Sequence, residues 1–369
     1  MPLSLSISGQ RDRFAQARAI LDQAVADHAF PGAAYGIVHQ GKVVTLDAVG
    51  RFTYNEGSPE VRPETVFDLA SVTKVFATTS AAMLLYDRGI LDLETPLGEI
   101  LPGFVVGREP GSGKERVTFR MLLAHSSGLP AYARLFEQHT SSNGLLRACL
   151  QMPLEVRPET RAEYSDIGFI LLGKALEILA GDYLARYCER EVFAPLELTA
   201  TFFCPPQQLR SQIPPTVHDT EFRKRVIQGE VHDEHAYVLG GYGGHAGLFA
   251  NALDVLTFAA CMLNEGRTTH GQQLFKPETV LSFAARQSQP AGTSRALGWD
   301  TPTTPSSSGK YFSKSSIGHL GYVGTSLWID PEHQLAVVLL TNRTWPDRSS
   351  KAIQQVRPAF HDAVYTVLM

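Results

Sequence analysis

Ser71-Val72-Thr73-Lys74, running into the apolar stretch Val75-Phe76-Ala77-Thr78-Thr79-Ser80-Ala81-Ala82-Met83-Leu84-Leu85, is the segment on which the reading of this 369-residue chain turns. It follows the strand-like Thr65-Val66-Phe67. A serine and a lysine three positions apart lie on one face of a helix. At the helix start, the Ser71 hydroxyl would also sit at the positive end of the dipole. A serine hydroxyl needs a base before it becomes a nucleophile. A lysine serves as that base only when burial or another cation lowers its pKa. Such a pair arises by chance in many helices, so its meaning rests on the rest of the chain.

Two further segments complete a pattern. Glu163-Tyr164-Ser165-Asp166-Ile167-Gly168-Phe169 precedes the apolar run 170–180 and reads as a loop feeding a helix, with Asp166 near the cap. Ser316-Ile317-Gly318-His319-Leu320-Gly321-Tyr322 leads into the alternating run 324–329, a strand. Glycines beside His319 would let a substrate approach the backbone.

This order of nucleophile helix, tyrosine loop and glycine-bearing strand resembles the serine β-lactamase and penicillin-binding-protein superfamily. The closer likeness is to the branch holding class C β-lactamases, D-aminopeptidases and lactamase-like esterases. That branch carries Tyr-x-Asn where this chain has Tyr164-Ser165-Asp166, and its non-lactamase members often carry His-x-Gly, here His319-Leu320-Gly321. Leu122-Leu123-Ala124-His125-Ser126-Ser127-Gly128-Leu129-Pro130 matches another of its segments. Val231-His232-Asp233-Glu234-His235-Ala236, the glycine-rich 240–249, Asn342-Arg343 and Val356-Arg357-Pro358-Ala359 are similar to a subfamily that includes exo-acting N-acetylmuramoyl-L-alanine amidases. The resemblance runs from about Pro31 to the end.

Periodicity gives an independent fold expectation. Residues 13–28 have helical spacing, and 33–39 with 43–49 read as a hairpin about Gln40-Gly41-Lys42. A second hairpin, 324–330 with 334–341, turns at Pro331-Glu332-His333, and 350–368 reads as a helix interrupted or kinked at Pro358. Strands gather at both ends and helical patterns fill the middle. The expectation is α+β: an antiparallel sheet from N- and C-terminal strands, with flanking helices and an inserted, mostly helical lobe. One two-lobed unit is expected, with an α/β lobe of about residues 10–70 and 290–369 and a helical lobe of about 71–289. The superfamily fold agrees. The stretches 110–114 and 301–309 read as exposed turns.

A hydrophobic content of 44% supports a sizeable core, and a net charge of −4 offers no handle for nucleic acid. Arg223-Lys224-Arg225 reads as a solvated turn. Cys149, Cys188, Cys204 and Cys261 are far apart, so reduced and mostly buried thiols are expected. No run reaches the roughly 18 apolar residues of a membrane span. Arg11-Asp12-Arg13 interrupts any secretory apolar region, and a cytoplasmic enzyme is expected if Met1 is the natural start.

What the resemblance implies for the site is an acyl-enzyme at Ser71, with Lys74 and Tyr164 sharing acid and base work and no cofactor. Asp166 in place of asparagine loses an amide donor and favours a charged Lys74. His319 in place of lysine holds a substrate carboxylate less firmly, and could donate to Tyr164 or guide a proton. The N–H groups of Ser71 and Tyr322, after Gly321, would form the oxyanion hole. His125 would bond local backbone rather than take part in chemistry. His232 and His235 lack the His-Glu-x-x-His spacing of zinc hydrolases, so no metal is expected. His232, Glu234 and His245 would instead brace a glycine-rich loop beside the cleft or touch a small-molecule or peptidoglycan-fragment substrate. The expected function is a serine hydrolase of an amide or ester, with a muramyl peptide as the narrower expectation. The alternatives are a small-acyl carboxylesterase and a penicillin-binding or sensor module that acylates without turnover.

Overall fold

A computed structural model of the chain describes residues 3–107 and 111–369. Pro110, the first residue of one expected turn, lies outside the described residues. The strands β1 (Gly32–His39) and β2 (Lys42–Gly50) form the first hairpin; β3 (Ile317–Leu320), β4 (Ser326–Asp330) and β5 (Leu335–Thr341) form the C-terminal meander. They join in one sheet of order β2-β1-β5-β4-β3, every pair antiparallel, with the short strand Ser4–Leu5 parallel to β2 at its edge. The two ends of the chain thus meet where β1 pairs β5, from Ala33 opposite Thr341 to His39 opposite Leu335. The α+β expectation holds. Gln40 and Gly41 both have positive φ, 51° and 73°, the twist a two-residue hairpin requires.

Both faces of the central strands are covered, which explains their unbroken apolar runs. Side chains alternate across a strand. Ala33, Tyr35, Ile37, Leu335, Val337 and Leu339 pack on one face with Ala17 and Leu21 of α1 (Ala15–Ala26) and Phe360 and Val364 of the C-terminal helix Ile353–Leu368. Ala34, Val38, Ala336, Val338 and Leu340 pack on the other with Val255, Leu256 and Ala259 of the helix Ala252–Leu263. The C-terminal helix runs through Pro358 without interruption.

Several local expectations need correction. Only Phe67–Asp68 of the region 65–68 is a strand, pairing with Leu248–Ala250. Thr65 instead closes a turn on Arg62, its hydroxyl accepting from the Arg62 N–H at 2.8 Å. The α-helix α2 spans Ser80–Asp87, and before it the chain makes a 3₁₀ turn (Ala70–Val72) and a wide π-helical turn (Lys74–Thr79). Lys114 is buried rather than exposed, with its ammonium 2.9 Å from the Leu150 carbonyl; Thr301 and Ser308 of the other expected turn are buried too. Cys149, Cys188 and Cys261 are buried free thiols and Cys204 is partly exposed. Among the described residues no helix is long and apolar enough to cross a membrane.

Gly50 closes the hairpin at φ +72°, and a Cβ there would lie 2.2 Å from the Pro31 carbonyl oxygen. Backbone cannot yield as a side-chain tip can. Gly50→Ala is expected to lower unfolding free energy by about 2–3 kcal/mol in urea titrations, and wild-type stability would contradict that.

Candidate active site

The turn carrying Ser71 is strained and clamped. Ala70 has φ +46°, a left-handed conformation unusual for a residue with a Cβ. Three contacts hold it there. The buried Asp68 carboxylate accepts the Ala70 N–H at 2.7 Å and the His232 N–H at 2.6 Å. The Thr325 hydroxyl donates to the Leu69 carbonyl at 3.0 Å. Burial pushes the Asp68 pKa up to about 6, although both backbone donors oppose the rise.

Lys74 is fully buried on the next turn. Its Nζ lies 3.0 Å from Ser71 Oγ, 2.7 Å from Asp166 Oδ1 and 2.9 Å from the His245 carbonyl. Burial alone would drive the ammonium pKa down, but Asp166 and Tyr164 outweigh it and the pKa ends above the ordinary lysine value. The expectation that Asp166 keeps Lys74 charged agrees with this geometry. Asp166 lies next to the cap, as expected: Ser165 caps the helix α3 (Asp166–Ala180) by accepting from Gly168 N–H at 3.0 Å. Asp166 stands in the first turn, free to face Lys74.

Tyr164 sits just before that cap, with its ring centroid 4.8 Å from Lys74 Nζ. Burial pushes its pKa up to about 12, while Lys74 and Ser71 pull against the rise through charge and hydrogen bonding. The His125 turn fixes the loop. His125 Nδ1 accepts the Ser165 N–H at 3.0 Å, the His125 carbonyl accepts the Glu163 N–H at 2.8 Å, and the Ser165 hydroxyl donates to the Pro130 carbonyl at 2.7 Å. His125 therefore binds backbone, but not the local backbone expected: Ser165 lies 40 residues away along the chain.

His319 lies on β3, its ring 5.9 Å from that of Tyr164. Its Nδ1 is 2.9 Å from the Leu320 carbonyl, which can only accept, so Nδ1 carries the proton. Burial, with Lys74 and Arg295, holds its pKa well below the ordinary histidine value. The ring is neutral and Nε2 is a bare acceptor, buried without a partner among the described residues. The expectation of a donor toward Tyr164 is thus corrected: at rest His319 Nε2 can take a proton but not give one.

The glycine-rich loop lies against the nucleophile helix. A Cβ on Gly244 would fall 2.3 Å from the Phe169 carbonyl, and the Gly244 carbonyl accepts from Thr78 Oγ1 at 2.6 Å. The loop can therefore deliver the His245 carbonyl to Lys74. Asp233 accepts from His245 Nε2 at 2.7 Å, and Glu234 pairs with Arg348 at 2.5 Å. His232 is buried, its ring 5.8 Å from Tyr322. The side chain of Arg223, expected in a solvated turn, is buried and donates to the Val231 and His232 carbonyls at 2.7 and 2.6 Å.

Ser71, Tyr164, Asp166, His319 and Tyr322 line one cleft of about 740 Å³. Gly321, also on its wall, donates its N–H to the Thr325 carbonyl at 2.8 Å. Arg295, Arg343 and Arg357 lie on the same wall and carried no role in the sequence reading. Arg357 is braced by the Gly321, Gly324 and Thr325 carbonyls and so holds the strand end beside the site. Asp68 was likewise missed. A lone aspartate before an alanine gives no sign that its carboxylate will cap a strained turn.

The beta-lactamase family profile matches residues 17–358, and the chain belongs to that family. It is a serine hydrolase of the family. It is 33% identical over 348 residues to an N-acetylmuramyl-L-alanine amidase of Bacillus subtilis (strain 168), covering 85% of this chain and 77% of that one. It is 32% identical over 350 residues to an Escherichia coli (strain K12) protein provisionally named D-alanyl-D-alanine carboxypeptidase, covering 86% and 79%. In fold it matches the hydrolase EstCE1, which has promiscuous acyltransferase activity (TM-score 0.77, 22% identity, 97% and 100% covered). It also matches a class C beta-lactamase from Rhodobacter sphaeroides (TM-score 0.71, 20% identity, 96% and 99% covered).

Asp68 gives a pH test. Its pKa is raised on folding, so its favourable contribution is complete below about pH 4 and is lost as pH rises through about 6. Two pK units correspond to about 3 kcal/mol. Asp68→Asn should flatten the fall in stability between pH 4 and 6.5 measured by urea denaturation; an unchanged slope would place that carboxyl's pKa elsewhere.

Proposed function

We propose that this enzyme hydrolyses an amide bond between an acyl group and an amino acid or peptide, of the muramyl-peptide type, through an acyl-enzyme on Ser71. The supporting observation is the buried cluster in which Lys74 touches both Ser71 Oγ and Asp166. The relative named as an amidase supports the choice of bond.

The charges decide how the proton moves. Lys74 is held as an ammonium, so it is not the resting base. Tyr164 is a phenol, since removing its proton at pH 7 from a pKa of about 12 would cost about 7 kcal/mol. The acceptor available at rest is His319 Nε2. Ser71 Oγ attacks the carbonyl carbon while its proton passes to the Tyr164 oxygen and the Tyr164 proton passes through one water to Nε2. The oxyanion rests on the N–H groups of Ser71 and Tyr322. The C–N bond then breaks, and the departing nitrogen takes the proton back through Tyr164. Water repeats the route to release the acid. Lys74 stays charged throughout and lowers the energy of negative charge on both oxygens. A cationic residue at position 319 would grip a terminal carboxylate; a neutral acceptor does not, which favours an acyl-amide over a D-alanyl-D-alanine substrate.

With Asn at 166 the ammonium loses its closest counter-charge. The expected result for Asp166→Asn is a kcat/KM–pH profile whose alkaline limb lies at lower pH, because Lys74 then loses its proton sooner. A limb that stays in place would show that Lys74 does not set it.

Substrate comparison tests the function itself. Purified protein should cleave muramyl dipeptide continuously, with slower turnover of p-nitrophenyl acetate and nitrocefin, and Ser71→Ala should lower muramyl dipeptide turnover by at least about 10⁴-fold. Faster ester than amide turnover would make it a carboxylesterase. A single equivalent of product would make it an acylating sensor.

A further inference from the structure

We propose that Asp233, His235 and His245 form a binding site for a divalent transition-metal ion of the zinc class, next to the Ser71 cleft and separate from the groups that handle the scissile bond. One ligand atom from each of the three residues lies within 4.8 Å of the other two. The chain spacing hides this set. His232, the partner that spacing offers to His235, turns toward Tyr322 instead. The third ligand comes from the glycine-rich loop, ten residues beyond His235.

Each ligand is already held in place. Asp233 caps the short helix Glu234–Val238, with Oδ1 accepting the Ala236 N–H at 2.8 Å. His235 follows in the first turn, walled by the rings of Tyr132 and Phe136 at 5.1 and 5.5 Å. His245 is fixed through its carbonyl by Lys74. The two histidines are fully buried.

The polar bookkeeping of the cluster is incomplete without a further group. Both ring nitrogens of His235 and Nδ1 of His245 are buried with no hydrogen-bond partner among the described residues. The Ala133 carbonyl approaches His235 as a backbone acceptor, but too loosely aligned for a full hydrogen bond. Unpartnered buried imidazole nitrogens are costly, and a cation is one group that satisfies a lone pair there. His245 Nε2–H donates to Asp233 Oδ1 at 2.7 Å, so the proton now between them stands where a metal would be shared. Metal binding at Nε2 would move that proton to Nδ1, which is bare in this tautomer.

Two imidazoles and one carboxylate are a donor set of intermediate softness that suits zinc and leaves a coordination position open. Zinc bonds to nitrogen and oxygen of about 2.0–2.2 Å require ligand atoms roughly 3–3.6 Å apart, so side-chain rotation of about 1 Å closes the set. Asp233 lines the cleft, which places the site beside the substrate space.

The test uses the tag-free full chain, stripped with EDTA. After incubation with zinc chloride and gel filtration, elemental analysis should find one zinc per chain. His235→Asn and His245→Asn should each lower zinc affinity by about 10-fold or more while keeping the wild-type circular dichroism spectrum. Cobalt(II) added to the wild-type chain should give the intense visible absorption of a four-coordinate site, which decides the matter even if a variant fails to fold. Wild-type protein that retains no stoichiometric zinc and leaves cobalt with its aqueous spectrum overturns the proposal. So does full zinc retention by both folded variants.

Discussion

The buried ion pair between Lys74 and Asp166 is the interaction on which the rest of the site depends. Two charges taken out of water attract strongly but lose hydration, and such a pair persists only with good geometry and further hydrogen bonds. Here Ser71 Oγ and the His245 carbonyl supply those bonds. The pair therefore fixes three separate pieces of chain: the nucleophile turn, the start of α3, and the glycine-rich loop. It also fixes chemistry. An ammonium beside a serine hydroxyl and a phenol is not a resting base, and in the proposed mechanism the proton leaves toward the neutral His319 instead.

A second constraint works on the backbone. Ala70 is held in a left-handed conformation by Asp68, and the same carboxylate grips the His232 N–H. One buried group thus ties the Ser71 turn to the segment 231–238, three residues of which line the cleft. Arg223 reinforces that segment from behind through two carbonyls. The wall is well determined although it contains little regular structure, and strain at the nucleophile is balanced by bonds that reach across the cleft.

Much of the fold could be read from the chain because its strongest signals are local. The hairpin at Gln40-Gly41 and the meander 326–341 follow from alternation and turn chemistry, and the sheet follows from pairing the ends. The apolar run 75–85 was legible as helix, but not its π-helical first turn, which is set by contacts to Gly244 and His245 that come some 170 residues later. Ser71, Lys74, Tyr164 and His319 stood out through their motifs. Asp68, Arg295 and Arg357 did not, because each acts through carbonyls, backbone N–H groups or ring faces contributed by distant segments. The tautomer of His319 was equally invisible. It is set by a carbonyl one residue away whose direction only the strand geometry reveals. Arg223 looked like surface charge because composition cannot show that a turn folds inward.

The central claim is that Ser71 is the nucleophile, and mass spectrometry after reaction with a fluorophosphonate tests it most directly. The account predicts one adduct per chain, located on Ser71 by peptide mapping, and lost in Ser71→Ala with the fold intact. An adduct on another residue, or an unmodified and fully active enzyme, would contradict it.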